Sequence, residues 1–301
     1  MKKKVFVTGI TGKSGLYLLD EIIKTGESDY SYTFLIRSEE KANFIKGLYS
    51  QAQVCIGSYD DGRLLEVEFS KGYDILLHIA GIQSSLKVVI PAISHGVKWL
   101  ILVHTTGIYS KYKSAGEMYR QIETKIDTLI ENKEIAKTIL RPTMIYGNIH
   151  DKNVALFLKM VYKFRFFPVV NHANYELQPV WCGDLGKAYY QVLTHPDETR
   201  NKDYNLSGGK PILLIDMFRV MANKLGVKNT FVNIPFWLAF SGAWCLYVLS
   251  VGKIDIREKV QRLVEPRVYS HEQATIDFGY NPVPFEEGID GEIEEFKRSI
   301  K

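Results

Sequence analysis

Residues 5–18 read Val5-Phe6-Val7-Thr8-Gly9-Ile10-Thr11-Gly12-Lys13-Ser14-Gly15-Leu16-Tyr17-Leu18, a short apolar strand that breaks into three glycines and resumes at helical spacing. A turn of this pattern uses glycine for three separate reasons: the backbone bends tightly, a pyrophosphate comes close to it, and the helix packs on the strand. The helix N-terminus adds free amides and the positive end of its dipole. Gly9, Thr11, Gly12, Lys13, Ser14 and Gly15 are therefore the expected phosphate cradle. A purely structural turn is the competing reading, and the position at the first strand-to-helix junction argues against it.

Outward from this turn, short β-branched and aromatic runs alternate with longer helical patterns. Strands are expected at 4–8, 33–36, 53–56, 75–79, 100–104 and 138–141, most of them apolar throughout, as strands covered on both faces should be. Helices are expected at 15–25, 39–50, 84–95 and 117–132 as the crossovers. The fold expected is α/β, a Rossmann-type doubly wound parallel sheet with a smaller C-terminal substrate lobe. After His150 the alternation fades. Residues 1–150 and 176–206 are assigned to the dinucleotide-binding domain, and 151–175 and 207–301 to the lobe.

Composition narrows the function classes. The 301 residues are 46% hydrophobic and 24% charged with a net charge of +4, and the lysines are scattered, so no nucleic-acid surface is expected. Cys55, Cys182 and Cys245 lie far apart, which offers neither a disulfide framework nor a metal site and fits a reducing, cytoplasmic setting. Lys2, Lys3 and Lys4 run straight into the first strand without a secretory apolar stretch, so the mature chain is expected to start near Met1. Residues 236–249 (FWLAFSGAWCLYVL) are almost wholly apolar but short for a span, which needs about 20 residues. Burial within the lobe is expected, ahead of docking on a membrane or a partner. His78 and His104, on apolar strands, read as hydrogen-bonded core residues. Phe164 to Phe167 read as core packing, and Lys159, Lys163 and Arg165 as a solvated face with a nucleotide diphosphate as the alternative.

The end of the second strand selects between cofactors. An NAD site usually places a carboxylate there for the ribose hydroxyls, whereas this chain has Arg37-Ser38. Arginine suits a 2′-phosphate, so NADP is the first choice and NAD the second.

Further segments, in order, resemble the extended and atypical short-chain dehydrogenase/reductases, in particular the NAD-dependent epimerase/dehydratase branch. Gly57-Ser58-Tyr59-Asp60-Asp61 is similar to that family's G-D-x-x-D, and the resemblance sets Asp60 near the adenine. Asp74 to Gly81 (DILLHIAG) resembles D-x-V-x-H-x-A-G, which would bring Ile79, Ala80 and Gly81 beside the cofactor. His104 to Tyr109 (HTTGIY) is similar to S-S-x-x-V-Y, with Thr105 in the catalytic hydroxyl's place. Leu140 to Gly147 (LRPTMIYG) resembles R-P-x-x-x-Y-G, implying Pro142, Thr143 and Met144 on the nicotinamide side. Residues 178–185 and 278–288 match later elements, so the resemblance runs over nearly the whole chain.

One departure bears on chemistry. The family's Tyr-x-x-x-Lys pair uses the lysine's charge to favour the tyrosinate near neutral pH. The match here is Tyr119-Arg120-Gln121-Ile122-Glu123, with glutamate in the lysine's place, where a carboxylate would work against a tyrosinate. Lys125, six residues on, points to another side of the helix. Two readings remain open: Tyr119 donates a proton in concert with Thr105, or it is a surface residue of a helix without catalysis, with Glu123 a solvated partner for Arg120 or Lys125. They correspond to an NAD(P)-dependent oxidoreductase or epimerase-like enzyme acting on a nucleotide sugar or similar carbonyl or hydroxyl substrate, and to a non-catalytic NAD(P)-binding sensor or assembly protein. The resemblance also leaves a homodimer open.

Overall fold

The computed structural model describes residues 2–26, 29–112, 114–151 and 153–300; Met1, the expected start, and Lys301, the end assigned to the lobe, lie outside them. Six strands, β1 (Lys3–Thr8), β2 (Tyr30–Ile36), β3 (Gln53–Ile56), β4 (Ile75–His78), β5 (Trp99–Val103) and β6 (Ala136–Pro142), join an edge strand Asp203–Leu206 in one sheet. Its order is β3-β2-β1-β4-β5-β6 followed by Asp203–Leu206, and every pairing is parallel. This is the doubly wound order, and it reverses between β1 and β4, the point outside whose carboxyl ends such sheets bind ligands.

Crossover helices cover both faces, which is why the central strands are apolar along their whole length. On one side α1 (Lys13–Thr25) sets Leu18, Leu19 and Ile22 against Val5, Val7 and Ile101. On the other, α3 (Gly62–Phe69), α4 (Ser85–Ser94) and α5 (Gly116–Ile130) set Phe69, Val89 and Ile126 against Phe6, Leu76 and Leu100. α2 (Glu39–Leu48) starts on Ser38, whose hydroxyl accepts from Lys41 N. The chain then returns to the sheet: α7 (Cys182–Thr194) follows α6 (Val154–Lys163) and packs on α1 so closely that a Cβ on Gly186 would lie 2.6 Å from Leu18 N.

At the reversal the ends of β1 and β4 are tied together. Thr8 Oγ1 and His78 Nδ1 lie 2.7 Å apart, and His78 Nε2 is 3.0 Å from Ser84 Oγ. Burial pushes the His78 imidazole down to about 4, so the ring is neutral at physiological pH and acts as a hydrogen-bonded strut. His78 and His104 are both buried and hydrogen-bonded, as expected of core histidines.

The lobe has its own core, in which α6, the helices Leu214–Leu225 and Asp290–Ser299 and a two-stranded parallel sheet of Phe166–Val170 with Thr230–Ile234 contribute Leu158, Phe167, Phe218 and Phe296. Two expectations need correction here. Of the aromatic cluster only Phe167 is core: strand alternation turns Phe166 to the opposite, exposed face, and Phe164, at the end of α6, is exposed as well. The segment Phe236–Leu249 is a helix, but it is not buried: Ala243 alone of its fourteen residues is. Apolar residues all round a helix predict burial only when other elements surround it, and here the structure packs one side.

Gly186→Ala should lower the stability of the folded chain by about 1–3 kcal/mol, because α1 has to move to admit the methyl group. Urea denaturation reads it, and an unchanged midpoint would contradict this packing.

Candidate functional site

The glycine turn has the shape that a phosphate cradle requires. Gly9 has φ +86°, a left-handed conformation that glycine adopts freely. Its α-carbon faces the end of β4: a Cβ there would lie 3.0 Å from Ala80 N. A Cβ on Gly15 would fall 2.4 Å from Gly9 O and 2.6 Å from Ile10 O, so any side chain at 15 would open the turn. Gly12 N donates to Gly9 O at 3.0 Å and closes it. At the start of α1 no side chain caps Gly12, and the first turn holds no carboxylate that would compete with an anion. These residues fit a bound pyrophosphate. Lys13 is exposed and faces a smaller groove shared with Trp181 and Glu292.

Beyond the carboxyl ends of β2 and β3 lie Arg37, Ser38 and Asp60. Arg37 is exposed and makes no ion pair among the described residues. Ser58 Oγ donates to Asp60 at 3.0 Å, and Lys87 pairs with the same carboxylate. Asp60 is held below the usual carboxylate range chiefly by the hydrogen bond from Lys87.

A cleft of about 480 Å³ opens between the sheet and the lobe. Ala80, Gly81, Thr105, Tyr119, Thr143 and Met144 line it, all six named from the sequence. Ile79 packs behind Gly9, and Pro142 is buried at the end of β6, where its carbonyl accepts from Thr106 Oγ1 at 3.2 Å. Thr105, two residues beyond β5, caps the short 3₁₀ turn Thr106–Tyr109, its Oγ1 accepting from Gly107 N at 3.0 Å. Its hydroxyl hydrogen is left for another acceptor. Tyr119, one turn into α5, is 7% exposed, so the reading of it as a surface residue is not met. Both side chains flank Gly107: a Cβ there would lie 3.2 Å from Thr105 Oγ1 and 3.8 Å from Tyr119 Cε2.

Glu123, one turn further along α5, faces the sheet and is not among the residues lining the cleft. Arg141 grips it twice, Nη2 to Oε2 at 2.6 Å and Nε to Oε1 at 3.3 Å, and His104 Nδ1 lies 2.8 Å from Oε1. Burial pushes this carboxyl up, but the hydrogen bonds from His104 and Arg141 outweigh burial and hold it at about 2. An ionised carboxylate only accepts, so His104 carries its proton on Nδ1 and Ser85 Oγ, 3.1 Å away, donates to Nε2. Arg141 also reaches Asp203 at 2.9 Å. Glu123 is thus a largely buried, compensated charge, not the solvated partner of Arg120 or Lys125; Arg120 pairs with Glu117.

On the lobe side the cleft carries two residues that the sequence reading missed, Arg262 and Arg267. The Nε of each is buried without a hydrogen-bond partner among the described residues. Burial, reinforced by the neighbouring Arg262 charge, pushes Arg267 down to about 10. Nearby Glu265 is occupied by Ser110 Oγ at 2.7 Å and Lys111 N at 2.9 Å. Two adjacent guanidiniums with unpartnered donors are a site for an anion. The sequence Arg262-Leu-Val-Glu-Pro-Arg267 carries no spacing rule that announces it.

No family model matches the chain, and neither does any curated protein. Solved structures do. The gox2253 crystal structure superposes with a TM-score of 0.78 at 18% identity over 99% of each chain. The Thermotoga maritima UDP-glucose 4-epimerase solved with UDP-glucose gives 0.72 at 18% identity, covering 99% of this chain and 100% of that one. The Bacillus cereus UDP-glucuronic acid 4-epimerase, solved with UDP-glucuronic acid and NAD, gives 0.74 at 14% identity over 98% and 99%. At these identities the likeness establishes the fold, a Rossmann-type α/β architecture shared along the whole chain.

Glu123→Gln leaves Arg141 and His104 facing a neutral amide and should cost about 3 kcal/mol at pH 7, as breaking a buried ion pair does. A depressed carboxyl stabilises the fold above its unfolded value near 4.5 and loses that contribution as the pH falls towards about 2. The gap between parent and variant in denaturant titrations should therefore shrink across that window; a gap independent of pH would contradict the pairing.

Proposed function

We propose that this chain, built on the fold of nucleotide-sugar epimerases, is an NADP-dependent oxidoreductase or epimerase-like enzyme acting on a nucleotide sugar or a similar anionic carbonyl or hydroxyl substrate. The observation that carries the proposal is that Thr105 and Tyr119, which flank Gly107, line the same cleft as Arg262 and Arg267.

In this reading Gly9, Thr11, Gly12, Lys13, Ser14 and Gly15 hold the dinucleotide pyrophosphate through backbone amides and the α1 dipole. Arg37 and Ser38 take the 2′-phosphate, supported by the exposed, unpaired guanidinium, and NAD is the second choice. Asp60 borders the adenine. Ile79, Ala80 and Gly81 run beside the cofactor, and Pro142, Thr143 and Met144 border its nicotinamide end. When bound, the nicotinamide supplies or accepts a hydride.

The protein's own groups move the proton. Tyr119 donates its phenolic proton to the substrate oxygen while Thr105, whose oxygen is engaged by Gly107 N, donates a hydrogen bond to the same atom. This route starts from the neutral phenol, so it needs no lysine and favours reduction of a carbonyl. Arg262 and Arg267 bind the anionic part of the substrate, as a nucleotide diphosphate would present it. The sensor reading rested on the missing lysine and on Tyr119 as a surface residue, and the burial of Tyr119 against the cleft weighs against it.

With NADPH and a panel of 4-keto sugar nucleotides, Tyr119→Phe should reduce kcat by about 10²–10⁴ while NADPH affinity stays within twofold. Turnover that survives the substitution would remove Tyr119 from the reaction, and tight cofactor binding by the parent without turnover of any substrate would favour the sensor. Arg37→Ala should weaken NADPH far more than NADH in fluorescence titrations; equal loss would contradict the choice of NADP.

A further inference from the structure

The helix Phe236–Leu249 is apolar on every side, and the rest of the chain covers one of them. Trp237 is 68% exposed, Trp244 51% and Leu249 83%, and the open apolar surface continues through Val251 at 86%. Soluble chains seldom leave so continuous a greasy face in water unless something else covers it. The helix is held in this position. Asn171 Oδ1 accepts from Phe236 N at 2.8 Å at its start, and near its end Arg257 lies 3.8 Å above the Tyr247 ring.

The helix leads on from the strand Thr230–Ile234, which pairs in parallel with Phe166–Val170. Alternation turns Phe167 and Val169 into the lobe and leaves Phe166 and Val232 on the open face. The chain segments that build this face carry basic groups, and the carboxylate next to the helix, Asp255, is paired with Arg257. Residues 153–175 and 227–254 contain Lys159, Lys163, Arg165, Lys228 and Lys253 and no aspartate or glutamate. All five are exposed, and none pairs with a carboxylate among the described residues.

We propose that this face docks on the surface of an anionic lipid bilayer, with Phe236–Leu249 lying in the headgroup plane and the five cations meeting the lipid phosphates. Fourteen residues make a helix of about 21 Å against the roughly 30 Å of hydrocarbon that a span crosses. No helix among the described residues is long and apolar enough to cross a membrane. Tryptophan and tyrosine favour the interface, where the ring is in an apolar layer and the N–H or O–H stays wet. Basic side chains around such a helix add attraction to anionic headgroups. A second copy of the chain is the weaker occupant: a two-fold interface on this face would bring the five cations against their own symmetry mates. The inference does not depend on what the cleft binds.

Flotation of the full chain with vesicles tests it. The protein should float with phosphatidylcholine–phosphatidylglycerol vesicles and stay behind with phosphatidylcholine alone, and salt should weaken binding. Trp237→Asp with Trp244→Asp should lower the bound fraction roughly tenfold or more, since two aromatic anchors are replaced by charges. Quenching of the unmodified protein's tryptophan emission by brominated lipid reads the same contact without a variant. No flotation on anionic vesicles, equal flotation on neutral ones, or a dimer in light scattering that the double variant dissociates would each overturn the proposal.

Discussion

The close approach of Gly15 to the carbonyls of Gly9 and Ile10 is the constraint on which the site depends. It lets α1 begin directly above the end of β1, with its first amides uncapped by side chains and no carboxylate in its first turn. The same turn is clamped from behind by Ala80 and Ile79, and these are fixed by the Thr8–His78–Ser84 chain across the reversal of the sheet. Backbone atoms, not side chains, therefore shape the turn that the proposal assigns to the pyrophosphate, and its geometry is set by the packing of strand on helix. On the outer side of α1 the close packing of α7 through Gly186 completes the support.

The second organising element is the buried cluster of Glu123, Arg141 and His104. It joins α5 to the ends of β5 and β6 and thereby fixes where Tyr119, one turn earlier on the same helix, sits beside Gly107. A glutamate at this position alters the chemistry open to the tyrosine, and the structure shows what it does instead: with Asp203 it answers the buried Arg141 charge. Arg262 and Arg267 line the same cleft, each with an Nε that has no hydrogen-bond partner among the described residues, so the cleft offers donors to an anion.

Much of the sheet was legible because its signals are local. Apolar runs such as Ile75-Leu76-Leu77 and glycine-bounded junctions give strand and order, and the observed β3 has the bounds that the sequence implied. α3 escaped notice because its eight residues sit between two acidic-glycine turns, and the edge strand Asp203–Leu206 because half of it is polar. The glycine turn, Thr105 and Tyr119 could be named because their spacing is fixed by backbone geometry. Arg262 and Arg267 could not, since they reach the cleft through the path of the lobe. Pairing of Glu123 with Arg141 joins residues 18 apart on different elements and is a tertiary fact. The exposure of Phe236–Leu249 was misjudged for a related reason: hydropathy records what a helix prefers to touch and not what lies beside it.

Isothermal titration of the chain with NADPH and with NADH, repeated on Gly15→Val, addresses the central claim that residues 9–15 grip a dinucleotide pyrophosphate. One dinucleotide bound per chain, with the heat abolished in the variant while the fold persists by circular dichroism, is the predicted result. No heat with either dinucleotide, or binding that survives a valine at 15, would contradict the account.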